Sequence, residues 1–198
     1  MSLSARQSIA SVFALVMGSA SVLYSRLGQE MTAEQMVVHP QQEASQADAD
    51  ESASAPEEEV IPAPDFTVYD GAGNPVQLST YFGKPIVLNF WASWCGPCQS
   101  EMPDFNEKYA ELGDDIHFVM VNMTDGQRET IETASAFIGK NGYDFPVLFD
   151  TSSQAAMTYG AYSLPTSFFI NAEGHVIAQA VGAIDSQTLQ RGIDMITG

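Results

Sequence analysis

The clearest apolar run in the chain is "PIVLNFW", Pro85 to Trp91, which reads as a buried central strand because neither face alternates with polar residues. Ahead of it, "DFTVYDGAGNPVQLS" holds two short strand-like runs around a Gly-Ala-Gly-Asn turn, the pattern of a hairpin, and the folded domain begins near Asp65. A helix follows from the cysteines to about Leu112, with Phe105, Tyr109 and Leu112 at helical spacing. "IHFVMVNM" predicts a second buried strand. "RETIETASAFIGKNG" predicts an amphipathic helix ending at Gly142. "FPVLFD" is a short strand, "SSQAAMTYG" a short helix ending at Gly160, and "TSFFIN" with "HVIAQAVG" a closing hairpin. The last helix is "DSQTLQRGIDMIT", with Asp185 or Ser186 as its N-cap. Strands alternating with helices imply an α/β domain with a largely parallel sheet core, to which the closing hairpin adds antiparallel strands.

The first 61 residues have a different texture. "QSIASVFALVMGSASVLYS", residues 7 to 25, carries no charge and is bracketed by Arg6 and Arg26. As a helix it would span roughly 28 Å, close to the ~30 Å hydrocarbon core of a bilayer. Residues 1–28 are therefore expected to be a membrane anchor, with a signal peptide cleaved near Gly18–Ala20 as the alternative. A single N-terminal anchor with the long C-terminal part outside the cytoplasm is the default topology; cleavage would give a secreted protein. Neither cysteine lies near this segment, so lipid attachment there is not expected. Residues 29–61, rich in Ala, Ser, Gln, Glu, Asp and Pro, read as a disordered acidic linker too poor in large apolar side chains to offset its ordering entropy. A coil of that length reaches on the order of 30 Å. Residues 62–198 remain as the folded domain.

Charge narrows the partners. The formal net charge is −18, and residues 65–198 alone hold sixteen acids against five cations, a net of −11. Such a chain repels phosphates, which argues against nucleic acid or an anionic membrane surface as a partner.

Both cysteines of the chain lie in "NFWASWCGPCQSEMP", at the exit of the first central strand where a helix begins, the crevice that active sites of open α/β sheets favour. One CxxC pair and three scattered histidines, His39, His117 and His175, do not make a zinc site, and an iron–sulfur cluster needs more thiolates still. A purely structural disulfide would close a tiny loop and constrain little. Redox chemistry accounts for more of the stretch. Unpaired N–H groups and the dipole at a helix start favour an anion, which lowers a thiol pKa and supplies the nucleophilic thiolate. Cys95 is placed to feel this most, and Cys98, one turn in, to attack a mixed disulfide formed on Cys95. Gly96 and Pro97 set the turn between them. Trp91 and Trp94 offer a flat flank for a polypeptide, Trp91 being the one better read as core. No cofactor is expected beyond the redox-active disulfide Cys95–Cys98.

"WCGPC" after a hydrophobic strand resembles thioredoxin. The wider pattern, "APDFTVYDGAGNPVQLS", "IVLNFWASWCGPCQSEMP", a helix-and-strand segment before "FPVLFD", and "YSLPTSFFINAEGHVI", resembles the membrane-tethered thioredoxin-like proteins of the TlpA and ResA type over residues 62 to 196. The resemblance implies a thioredoxin fold with an N-terminal β-hairpin extension and a central helix–strand insertion, roughly Gln127 to Phe149. It implies that Cys95 attacks and Cys98 resolves. It also implies a cis peptide at Leu164–Pro165 facing the cysteines, although most X–Pro bonds are trans and the residues alone leave the isomer open. A cis bond there would expose the Leu164 backbone to an extended substrate.

Thioredoxin keeps a buried Asp six residues before its first cysteine. Here that position is Asn89, which cannot titrate. Glu101, three residues after Cys98 and on the same helix face, matches a Glu of the ResA-type proteins and is the expected proton partner of Cys98 if burial raises its pKa. Pro103 is expected to kink this helix. The Gly-Pro between the cysteines matches thioredoxin, where ResA-type proteins often show Glu-Pro, and it leans the couple toward the reducing side. The implied activity is an extracytoplasmic thiol–disulfide oxidoreductase that reduces disulfide-bearing proteins, apocytochrome c among the candidates. Its electrons would come from a CcdA- or DsbD-like membrane partner. Three alternatives differ in class: a DsbA-like oxidase, a peroxiredoxin (which wants Thr where Ala92 stands), and a non-enzymatic holdase or assembly module.

Overall fold

The computed structural model describes residues 36–38 and 60–198. The expected anchor (residues 1–28) and most of the expected linker (residues 29–61) lie outside the described residues. Among the described residues, no helix is long and apolar enough to cross a membrane.

Eight strands of the described residues form one mixed sheet, in the order β1-β8-β7-β4-β5-β6-β2-β3. They are β1 (Met36–Val38), β2 (Thr67–Tyr69), β3 (Pro75–Gln77), β4 (Ile86–Trp91), β5 (His117–Asn122), β6 (Val147–Phe149), β7 (Thr166–Ile170) and β8 (Val176–Val181). The helices are α1 (Gly96–Leu112), α2 (Ile131–Asn141), α3 (Gln154–Thr158) and α4 (Ser186–Thr197). Among the described residues, only β4–β5 and β5–β6 pair in parallel. The other pairs are antiparallel. Those of β2–β3 and β7–β8 are the expected hairpins, and the short turn from β7 to β8 permits no other. The antiparallel pairing of β7 with β4, of β2 with β6 and of β1 with β8 corrects the expectation of a largely parallel core to a parallel centre with antiparallel flanks. The β2–β3 hairpin joins the sheet through Tyr69 opposite Phe149. Met36–Val38 is a further difference. It falls within the expected disordered linker, yet it pairs antiparallel with Ala178–Ala180 of β8, so that expectation does not hold at these three residues. The bare edge of β8 offers unpaired backbone groups that a short strand of almost any composition can satisfy.

Both faces of the central strands are covered, as their unbroken apolar run requires. Along β4, Ile86, Leu88 and Phe90 face one core cluster with Phe66, Val119 and Tyr159, while Val87 and Trp91 face the other with Met102, Phe105 and Leu189. By the strand's two-residue period, Asn89 belongs to the second face, beneath α1. Helix α1 runs unbroken through Pro103. Helix α2 is closed by Thr130 with a capping box at its start and by left-handed Gly142 (φ 67°) at its end, a backbone conformation that strains residues with a Cβ. Helix α4 packs on β7 at Gly192, where an added Cβ would lie 2.2 Å from the Phe169 ring.

Candidate active site

Strand β4 ends at Trp91, and four residues later Cys95 stands as the N-cap of α1, in extended backbone (φ −83°, ψ 109°). Gly96 and Pro97, both exposed, open the first turn, where a proline costs no hydrogen bond because its missing N–H would have been unpaired. The Cys98 N–H donates to Cys95 Sγ at 3.2 Å, so the sulfur occupies the position that a Ser or Asp oxygen takes in an ordinary cap. The two cysteines are joined as a disulfide. Cys95 retains 5% of its surface and Cys98 none, which makes Cys95 the only one of the pair a partner can reach.

One turn along α1, Glu101 is 1% exposed. Its Oε1 accepts from Asn89 Nδ2 at 2.8 Å and its Oε2 from the Ile184 N–H at 3.0 Å. Burial pushes the carboxyl up to about 7, against the lowering pull of the Ile184 and Asn89 hydrogen bonds and with a small further rise from Asp104. Asn89 also donates to Ser167 Oγ at 3.0 Å and so ties the carboxyl to β7. An acid poised near neutral pH, on the helix face of the buried cysteine, can take and return a proton there.

The remaining candidates gather around the same end of the sheet. Thr166 pairs with Phe90, which places Leu164–Pro165 beside the C-terminal end of β4 from which the cysteine loop departs. The Leu164–Pro165 bond is cis. The Pro165 carbonyl accepts from the Gly182 N–H at 2.8 Å, whereas the Leu164 backbone groups have no hydrogen bond among the described residues. Trp91 is fully buried against Phe137 of α2, while Trp94 is 41% exposed with the Arg128 guanidinium 3.8 Å above its ring. A crevice of about 680 Å³ lined by Pro85, Asn171 and the last turn of α4 lies at the opposite end of β4 and contains none of these residues.

Sequence reading missed several participants. Asn89 was noted only for what it cannot do, and here it orients the carboxyl. Ser167 and the Ile184 amide carry no local signal. Neither does Glu129, a fully buried acid that takes the Ser93 N–H and hydroxyl at 2.7 and 2.6 Å, because an acid in a loop ordinarily faces water.

Comparison with known proteins agrees with this geometry. The AhpC/TSA family matches residues 61–179. The thiol-disulfide oxidoreductase ResA of Bacillus anthracis is 37% identical over 138 residues, covering 68% of this chain and 76% of that protein. A candidate thiol:disulfide interchange protein DsbE from Chlorobium tepidum superposes with a TM-score of 0.63 at 33% identity, covering 71% of this chain and 99% of that one. The pneumococcal exposed lipoprotein thioredoxin Etrx1 of Streptococcus pneumoniae does so with 0.55 at 35% identity, covering 66% and 99%.

Proposed function

Since the chain belongs to the AhpC/TSA family, and within it to the ResA-type thiol–disulfide oxidoreductases with a thioredoxin-like fold, we propose that it works as a reductant of protein disulfides outside the cytoplasmic membrane. The observation that carries the reading is Cys95 at the N-cap of α1, its sulfur accepting the Cys98 N–H, with the buried Glu101 carboxyl one turn further on. In the reduced enzyme the Cys95 thiolate attacks one sulfur of a target disulfide. A mixed disulfide forms and the first target thiolate leaves. Cys98 then gives its proton to Glu101 and attacks Cys95 Sγ, releasing the second target thiolate. Two electrons pass to the target, and the enzyme is left with the Cys95–Cys98 disulfide.

Trp94, Gly96, Pro97, Leu164 and Pro165 form the contact surface. An extended target segment can pair with the free Leu164 backbone beside the cysteines, as strands add to a sheet edge. The enzyme is recharged by a dithiol of a CcdA- or DsbD-like membrane protein, through the same exchange run in reverse. Residues 7–25 hold it to the membrane, and the part of the acidic linker ahead of β1, residues 29–35, tethers the domain to them. An exposed location is supported by the description of Etrx1 as an exposed lipoprotein. The targets include oxidised apocytochrome c thiols, the role in which a ResA-type reductant is expected.

The direction of electron flow is tested by the reduction potential of the Cys95–Cys98 couple, equilibrated against glutathione and dithiothreitol. A reductant should stand near thioredoxin, at about −270 mV. A value near that of DsbA, about −120 mV, would make it an oxidase and refute the proposal.

A further inference from the structure

Ser93 lies two residues ahead of Cys95, in the loop from β4 to α1, and each of its polar groups has a partner. Its N–H donates to Glu129 Oε1 at 2.7 Å and its hydroxyl to Glu129 Oε2 at 2.6 Å. Its carbonyl accepts from Gln99 Nε2 at 2.6 Å, which joins the loop to the first turns of α1. Glu129 is itself held. Its Oε1 also accepts from Asn122 Nδ2 at 2.6 Å, and Asn122 is the β5 residue paired with Trp91. Its N–H donates to Asp125 Oδ1 at 2.9 Å, and its carbonyl accepts from Gly126, so the 125–129 segment closes into a tight loop. The preceding residue, Arg128, lies over the Trp94 ring. Two consecutive residues of the insertion therefore grip two consecutive residues of the active-site loop, Glu129 from inside on Ser93 and Arg128 from outside on Trp94.

A buried acid with three donors on it would be an ordinary fold element if it tied one strand to another. Here two of the three donors belong to Ser93, a residue of the short loop that carries the chain from β4 to the reactive cysteine. We propose that Glu129 is a positioning residue of the redox centre: by fixing Ser93 it holds Cys95 as the N-cap of α1. The physical argument is distance. A helix terminus stabilises an anion only within its first turn, so the benefit to a Cys95 thiolate depends on the sulfur staying where the Cys98 N–H meets it. A loop without its anchor samples other positions, and the thiolate loses part of that stabilisation.

The inference rests on Cys95 as the attacking thiol, and the test separates the two. The full-length protein is reduced, and iodoacetamide labelling of Cys95 is followed by mass spectrometry from pH 5 to 9, with far-ultraviolet circular dichroism as the check on folding. In Glu129→Ala the labelling of Cys95 at pH 6 should slow about three- to tenfold, with its midpoint moved to higher pH. Glu129→Gln should restore the rate to within about twofold, because its oxygen still takes the Ser93 and Asn122 N–H groups and its amide can donate to the Ser93 hydroxyl. Ser93→Ala, which removes a single hydrogen bond, should shift the midpoint in the same direction by less. A folded Glu129→Ala protein with the wild-type profile overturns the inference. If that variant does not fold, Ser93→Ala decides: a slowed rate supports the role and a wild-type rate overturns it. Glu129→Gln behaving like Glu129→Ala also overturns it, since charge rather than position would then be at work. Wild-type labelling at Cys98 would defeat the assignment of Cys95 as well, whereas labelling at Cys95 with unmoved variants defeats this inference alone.

Discussion

Replacing Glu101 by Gln keeps the size of the side chain and removes its proton. Burial carries the carboxyl from its ordinary value of 4.5 to about 7, a displacement worth about 3 kcal/mol between its two protonation states. The sign follows from which state holds the proton. Between pH 4.5 and 7 the folded protein keeps a proton that the unfolded chain gives up. The contribution to stability is therefore complete below the unfolded value and is lost as pH rises through the folded one. The variant has no such dependence, so relative to it the wild type should lose about 3 kcal/mol between pH 4 and 9. In the variant the Ile184 N–H still finds an oxygen, and if the Asn89 amide turns over, its Oδ1 meets the new side-chain amide while its Nδ2 takes the buried position that has no partner now, a cost that does not vary with pH and so leaves the pH-dependent difference intact. Urea unfolding of the oxidised wild type and variant at each pH measures the difference. Stability curves that stay parallel from pH 4 to 9 would refute a buried carboxyl with a raised pKa. The catalytic half of the argument is read from stopped-flow exchange with oxidised glutathione. The variant should be tenfold slower or more, about 1.4 kcal/mol in barrier, and should lose the inflection near neutral pH. Superimposable profiles would mean that the Cys98 proton leaves by another route.

Brief alkylation of the reduced wild type near neutral pH should label Cys95 and spare the fully buried Cys98, and peptide mass spectrometry that finds the reverse would exchange their roles. The protein should fractionate with membranes, and protease added to spheroplasts should release a soluble domain starting near Pro62; protection from protease would place the domain in the cytoplasm. Gly192→Ala should cost about 1–3 kcal/mol in urea unfolding, because its methyl would overlap the buried Phe169 ring and force α4 away from β7. An unchanged midpoint would show that the α4–β7 contact yields freely.

What the sequence determined by itself is local. Apolar run length marked β4 and β5 as buried strands, turn residues marked the β2–β3 and β7–β8 hairpins, and the position of Cys95 after β4 put it at a helix start, because each of these depends on neighbours a few residues apart. The helical period likewise put Glu101 on the face of Cys98. What the sequence left open was decided by contacts between distant segments. Whether Glu101 faces water or core depends on the Ile184 loop, 83 residues away, closing over it. Asn89 becomes an orienting group only when β4, α1 and β7 meet, and Glu129 becomes a buried anchor only when the loop after β5, 36 residues past Ser93, folds back onto it. The antiparallel pairing of the two hairpins with the central strands, and the pairing of Met36–Val38 with β8, were equally invisible. Periodicity reports which side of an element is apolar, but the partner of a polar side chain is chosen by the tertiary fold, where a buried donor or acceptor left unpaired costs more than the hydrogen bond it would have made.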